Sequence, residues 1–241
     1  MWSICKKEVS QFFSSLTGYL AIILFLLVNG IFLFLLKESS ILDFGYASLD
    51  NFFELAPWVL LFLIPSLTMR TFSEEFRSGT FEIIKTKPVT EFKIVAGKYM
   101  AVLILIFFSI LPTLIYVFTI HSLSATSTID AGGITGSYIG LFFLAATFAS
   151  IGILCSSFTN NGVVAFLLSA FVCLLLYFGF SALSKIQALQ GNADYYIEMI
   201  GIDFHYKSIS RGVIDSRDIV YFISIIVLAM FGTSKNLSKN K

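Results

Sequence analysis

Charge is what this sequence has least of. Only 13% of its residues are Asp, Glu, Lys or Arg, against about 25% in an ordinary soluble domain. A chain this poor in charge and 57% hydrophobic cannot hydrate its whole surface. Several apolar runs approach twenty residues, enough to cross a bilayer, which places the chain among integral membrane proteins. Cysteine is scarce and odd in number. Cys5, Cys155 and Cys173, the last two inside apolar runs, exclude a disulfide framework and read as small core residues. The two histidines, His121 and His205, lie far apart and peripheral, so no metal constellation is expected.

Motifs for chemistry are missing as well. Without a GxxxxGK[ST] phosphate loop the chain is not expected to bind and hydrolyse ATP alone. HExxH, CxxC and GxSxG do not occur, which leaves an intramembrane hydrolase nothing to act with. The expected spans hold no Asp, Glu, Lys or Arg, and this counts against a proton-driven carrier. Neither an internal repeat nor a channel-type filter sequence is visible. No cleavable signal peptide is expected, because the first apolar run is long enough to span and stay.

What is present is a regular membrane layout. Trp2, Cys5, Val9, Phe12, Phe13 and Leu16 recur at helical spacing, with Lys6, Lys7, Glu8, Ser10 and Gln11 on the other face. Residues 1–16 therefore read as an amphipathic helix in the headgroup plane, the alternative being an extension of the first span. Six spans are expected, at about 18–36, 52 or 57 to 69, 99–120, 136–158, 163–183 and 219–232. Pro57 suits a helix start, whereas Pro65 and Pro112 are internal weak points. Asn29 reads as a polar contact between helices, and Gly136 and Gly140 as a close-approach pair. Asp215 or Ser216 can cap the last span.

Six spans put both termini on one side. That side carries eleven Lys and Arg residues and the other five. The bias makes the termini and the 70–98 loop cytoplasmic, with 37–54, 121–135 and 185–218 external. Residues 70–98 form the longest polar-rich stretch between apolar runs. Met69, Phe72, Phe76 and Ile83 mark one helical face, Gly79 interrupts it, and Lys87-Pro88 breaks the helix before Thr90 caps the next one. A membrane body with no energy source of its own but a structured charged loop is expected to be driven by a separate motor. The same loop charges would also serve as an ordinary solvated face with i,i+3 pairs at Glu74–Arg77 and Glu82–Lys85.

The loop has a family likeness. Phe76-Arg77-Ser78-Gly79-Thr80-Phe81-Glu82, Lys87-Pro88-Val89-Thr90 and Gly97-Lys98-Tyr99 resemble the corresponding loop of type-2 ABC exporter permeases. Arg211-Gly212-Val213-Ile214-Asp215-Ser216-Arg217-Asp218, before the last span, is similar to a second signature of those permeases. Leu55-Ala56-Pro57-Trp58, Phe62-Leu63-Ile64-Pro65, Thr68-Met69-Arg70 and His205-Tyr206-Lys207-Ser208 look most like gliding-motility permeases.

The resemblance implies one all-α permease domain over 1–241 in a bacterial inner membrane. It implies a cytoplasmic coupling helix in the 70–98 loop and an external helical segment at 185–218. It also implies two copies of a separate ABC ATPase, which hold the ATP and Mg, so the chain itself is not an enzyme and binds no cofactor directly. A second membrane subunit, identical or distinct, and membrane lipids complete the partners; no nucleic acid is expected. Glu74, Glu75, Arg77, Gly79, Thr80 and Glu82 become the expected ATPase-coupling residues. Arg211, Asp215, Arg217 and Asp218 become candidates for an external gate, or else capping and surface pairs. The expected function is the permease of an ATP-driven exporter linked to gliding motility. The alternative is a membrane scaffold of an ATPase-powered envelope machine that moves no solute.

Overall fold

The computed structural model describes all residues except 37–47, 87, 124–129, 187–190, 192–193, 214 and 240–241. Lys37, Glu38 and Asp43 of the first expected external loop, Lys87 of the expected hinge, much of the 121–135 link and the terminal Lys241 lie outside the described residues. Every described element is helical. α1 (Trp2–Ser14) turns into α2 (Leu16–Phe34), and α3 (Asp50–Thr68) leads to two short helices, α4 (Ser73–Arg77) and α5 (Thr80–Lys85). Next come α6 (Glu91–Ile110), a 3-10 turn at Leu111–Thr113, α7 (Leu114–Leu123) and α8 (Ala131–Ser156). α9 (Gly162–Leu174) runs through a π-helical turn, Leu175–Gly179, into α10 (Phe180–Ser184). α11 (Asp194–Ile200), α12 (Ile202–Ser210) and α13 (Ser216–Lys239) close the chain.

Five stretches are long and apolar enough to cross a membrane: Asp50–Arg77, Glu91–Ser122, Ala131–Ser156, Gly162–Ser184 and Ser216–Lys239. The first expected span qualifies only together with α1, from which Gly18–Phe34 is bent by 66°. The straight part is about 25 Å long at about 1.5 Å per residue, short of a hydrocarbon core of about 30 Å. The corner needs glycine, since a Cβ on Gly18 would lie 2.6 Å from the Phe12 carbonyl oxygen.

α8 is the centre of the bundle. Its apolar window is 78% buried, against 28% for α9–α10 and 22% for α13, which form the outside. Small residues let its neighbours close in. A Cβ on Gly152 would lie 2.1 Å from the Thr68 hydroxyl oxygen of α3. The Gly136 and Gly140 pair receives α12 and not another span: their Cβ atoms would lie 2.7 Å from the Ile209 carbonyl oxygen and 3.3 Å from its side chain.

Pro57 departs from the sequence reading, whereas Pro112 follows it. Pro57 lies seven residues inside α3 and does not start it. Proline there removes the N–H that the Phe53 carbonyl would accept. The Tyr206 hydroxyl of α12 donates to that carbonyl instead, at 2.7 Å. Pro112 does break its helix, at the 3-10 turn, and the Tyr138 hydroxyl donates to the Thr113 carbonyl at 3.0 Å. Asn29 is fully buried, but its amide donates to the Phe25 carbonyl of its own helix at 2.7 Å and does not bridge to another. The last span is longer than expected. α13 continues to Lys239 because the Asn236 amide donates to the Ser157 carbonyl beside the α8–α9 turn, at 2.6 Å.

His205 is the clearest correction. It is not peripheral but only 4% exposed. Its Nδ1 lies 2.6 Å from Asp218 Oδ1, its Nε2 lies 2.8 Å from the Met199 carbonyl, and its ring stacks on Tyr221 at 3.8 Å. The Tyr221 hydroxyl in turn donates to the Ile200 carbonyl. Sequence spacing treats 185–218 as a surface segment. In the fold, α12 lies across the starts of α3, α8 and α13, held also by Ser137, whose hydroxyl donates to the Ser210 carbonyl at 3.1 Å.

Candidate functional site

The opposite end of the bundle gathers α1, the α4–α5 pair, the start of α6, the end of α8 and the end of α13. The chain leaves α3 at Thr68 and must turn sharply into α4, whose first N–H groups have no partner within their own helix. Ser156, at the end of α8, supplies one. Its hydroxyl oxygen accepts from the Phe72 and Ser73 N–H groups at 3.0 and 3.2 Å and donates to the Met69 carbonyl at 3.0 Å. Phe72, Phe76 and Phe81 pack edge-on or stacked at 4.9–6.1 Å between ring centroids, and this small core turns the apolar face of the α4–α5 pair inward.

Gly79 separates the two short helices. Its φ of 70° is left-handed, and nothing lies within 4 Å of where a Cβ would be. The glycine is therefore needed for backbone conformation, not for close approach. The coupling helix expected in the 70–98 loop is thus a corner of two pieces, joined by the Ser78 and Thr80 hydroxyls at 2.9 Å, with Ser78 also donating to the Glu74 carbonyl at 2.8 Å.

Beneath α4 lies a buried cation that the sequence reading missed. Lys98 is 2% exposed. Its Nζ donates to Glu75 Oε1 at 2.8 Å, to the Thr71 carbonyl at 2.8 Å and to Glu8 Oε1 at 3.1 Å. All three ammonium protons are used. The same Nζ sits 5.1 Å from the centroid of the Phe72 ring. Lys7, largely exposed, lies 3.7 Å from both carboxylates, so two cations balance two anions. Gly97 makes this geometry accessible: a Cβ there would meet the Met1 carbonyl at 2.9 Å and the Ile4 side chain at 3.0 Å. α1 thus crosses α6 at Gly97, and one residue later Lys98 reaches Glu8. Burial, then the Glu8 carboxylate, push the neighbouring Cys5 thiol up.

The expected coupling residues divide. Glu74, Arg77, Gly79, Thr80 and Glu82 are exposed on the outer side of the corner. Glu75 faces inward onto Lys98. Among the described residues no ion pair involves Glu74, Arg77 or Glu82, so the expected Glu74–Arg77 pair is not formed. At the far end the four gate candidates are not brought together. Arg211, Asp215 and Arg217 are exposed, with Asp215 Oδ1 capping α13 by accepting from the Arg217 N–H at 2.9 Å. Asp218 is 4% exposed and belongs to His205. Glu8 was assigned to a hydrated face, and Lys98 was counted as one loop charge among six. The available signal was the Gly97-Lys98 pair, a small residue beside a cation at the head of an apolar helix.

This end of the molecule fastens a small charged corner to three helices of the bundle. Glu75 ties the corner to α6, Glu8 ties α1 to the same point, and Ser156 ties the corner to α8. The model of the ABC-2 family transporter proteins matches residues 37–200, which takes in α3 through α11 and therefore the whole corner. No curated protein matches the chain. A multi-pass chain matched over that stretch, with the charged corner inside it, belongs to the ABC-2 family of transporter membrane subunits.

Proposed function

We propose that this chain is the permease subunit of an ATP-driven exporter of the bacterial inner membrane, driven through the α4–α5 corner by a separate pair of ABC ATPase subunits. The chain crosses the membrane six times, with both termini and residues 70–98 cytoplasmic. Two observations support an even number of crossings: Glu8 near the start bonds Lys98, and Asn236 near the end bonds Ser157, at the same end of the bundle. A second membrane subunit pairs with this one, and the export is linked to gliding motility, the last point resting on the sequence resemblance alone.

The observation that carries the reading is the two-sidedness of the corner. Arg77 and Glu82, with Glu74 at the edge, face outward and take part in no ion pair among the described residues, and Thr80 is exposed beside them with its hydroxyl 2.9 Å from that of Ser78. The inner side is fastened by Lys98 and Ser156 to three helices of the bundle. An outward charged face on a rigidly held element suits a groove on a soluble motor, and movement of the motor displaces the attached helices as a body. The test is co-purification with the ATPase from cells. Glu82→Lys and Arg77→Glu, both at exposed positions, are expected to lower ATPase retention at least tenfold while the permease still folds and inserts. ATPase retention unchanged in both variants would rule out the corner as the contact.

A further inference from the structure

Beside the Lys98 joint, with Glu8 and Thr71 in its wall, a groove of about 570 Å³ opens between the α1–α2 corner and α3. That volume falls within the ~300–1,000 Å³ of ligand pockets. Its two ends differ in chemistry. Glu8, Gln11, Arg70, Thr71 and Glu74 line one end, with the Glu8 carboxylate already held by Lys98 and Lys7; Leu20, Leu24 and Val28 of α2 and Phe62 of α3 line the other. The lined stretches of α2, residues 20–28, and α3, residues 59–67, each run for about 12 Å at about 1.5 Å per residue. This is most of the acyl depth of one leaflet, half of a hydrocarbon core about 30 Å thick.

The polar end is incompletely matched within the chain. Arg70 and Glu74 are exposed and take part in no ion pair among the described residues, not even with each other. Thr71 is only 8% exposed, yet its hydroxyl oxygen is buried with no hydrogen-bond partner. A buried hydroxyl left unsatisfied costs about 1–3 kcal/mol, so a group that supplies its partner is favoured there. The apolar end is half open, with Leu24 51% and Phe62 54% exposed.

The geometry points to a specific bound aminophospholipid: one acyl chain between α2 and α3, its phosphate on Arg70 and its primary ammonium on Glu74. A guanidinium takes a phosphate through two parallel hydrogen bonds. A carboxylate four residues further on requires a cation in the same headgroup, which phosphatidylethanolamine carries and phosphatidylglycerol lacks. The phosphate oxygens or the glycerol ester can satisfy Thr71. The site shares Glu74 with the edge of the coupling corner, but its test needs neither an ATPase nor transport.

Native mass spectrometry of the full chain tests it, with dioleoyl phosphatidylethanolamine, phosphatidylglycerol and phosphatidylcholine added separately. One phosphatidylethanolamine per chain is expected to be retained at least tenfold more tightly than either other lipid. Arg70→Ala should abolish this retention. Glu74→Gln should remove the preference over phosphatidylglycerol without removing binding, and Leu24→Trp should fill the groove and displace all three. The three positions are exposed, so each variant is expected to keep the parent's circular dichroism. Equal retention of all lipids by the parent and the variants would mean ordinary annular lipid and overturn the site. So would cross-linking of Leu24→Cys to a second membrane chain in the assembled complex with no lipid retained.

Discussion

Replacing Lys98 by methionine removes one charge and strands two. Glu8 and Glu75 keep side chains only 10% and 13% exposed, and both accept from the same Nζ. Breaking a buried ion pair from one side costs about 3–5 kcal/mol, because the partner is left charged in a poor solvent. Lys7 can recover little: at 3.7 Å and with its side chain 59% exposed, it acts as a surface pair worth under about 1 kcal/mol. A net loss of about 3 kcal/mol is roughly a hundredfold in the folded-to-unfolded ratio, at about 1.4 kcal/mol per tenfold. At about 2–4 °C per kcal/mol for a chain of this size, the midpoint of thermal unfolding in detergent should fall by about 6–12 °C. Neutralising the partners should reverse most of that. Lys98→Met combined with Glu8→Gln and Glu75→Gln leaves no buried charge and is expected within about 2 kcal/mol of the parent. The rescued triple variant then separates folding from coupling: its thermal midpoint returns, while stimulation of the ATPase by permease stays low, because α1 and α6 are no longer tied to the corner. A Lys98→Met midpoint within about 2 °C of the parent, or a triple variant no better than the single one, would refute the joint.

Other consequences follow from single positions. Gly79→Ala should destabilise the corner by about 1–2 kcal/mol, the cost of a left-handed residue with a Cβ. Gly79→Asn, although larger, should be milder because asparagine tolerates that conformation and the surroundings are open; limited proteolysis at 78–80 reports the order. Gly152→Ala should cost about 1–3 kcal/mol through overpacking against Thr68, and Thr68→Ala should restore part of it, read as unfolding midpoints. Cys5, Cys155 and Cys173 are all buried, so the native protein should resist maleimide. Thr80→Cys, at an exposed site, should react at once and become protected when the ATPase is bound. Tyr206→Phe should cost about 1–3 kcal/mol, because the Phe53 carbonyl then loses the donor that replaces the missing N–H of Pro57.

The membrane layout was largely legible in the sequence, for a physical reason. A span must be a run of apolar residues, and a run is local. The coarse positions of α3, α6–α7, α8, α9–α10 and α13 follow from that alone. The first span was less legible because its straight part, Gly18–Phe34, is short of the hydrocarbon width and passes as a span only with α1, from which it bends by 66° at the boundary that the amphipathic pattern marks. In the candidate site, the outward positions of Glu74, Arg77, Thr80 and Glu82 agree with a helical-face reading. Glu75 differs from its neighbour Glu74 only in having a cation 23 residues downstream beneath it, and no local pattern carries that. Asp218 likewise reads like Asp215, yet one is buried against His205 and the other caps a helix in solvent.

The residues that escaped local reading share one physical feature. Each meets a backbone or side-chain polar group that its own segment cannot satisfy, and each comes from far along the chain. Tyr206 serves Phe53 across 153 residues, Lys98 serves Glu8 across 90, Ser156 serves Phe72 across 84, and Tyr138 serves Thr113 across 25. In a hydrocarbon setting a proline break or a helix start is tolerated only where a neighbouring segment supplies the missing partner. Such a defect therefore specifies which segments must lie together, where apolar packing alone discriminates weakly between one span and another. Two of these contacts, Lys98 with Glu8 and Ser156 with Phe72, converge on the charged corner. A displacement of that corner cannot be absorbed locally, because it would expose a buried ammonium and unpair the first N–H groups of α4. The lower-energy response is for α1, α6 and the end of α8 to move with it, which is the behaviour the proposed coupling requires of the corner.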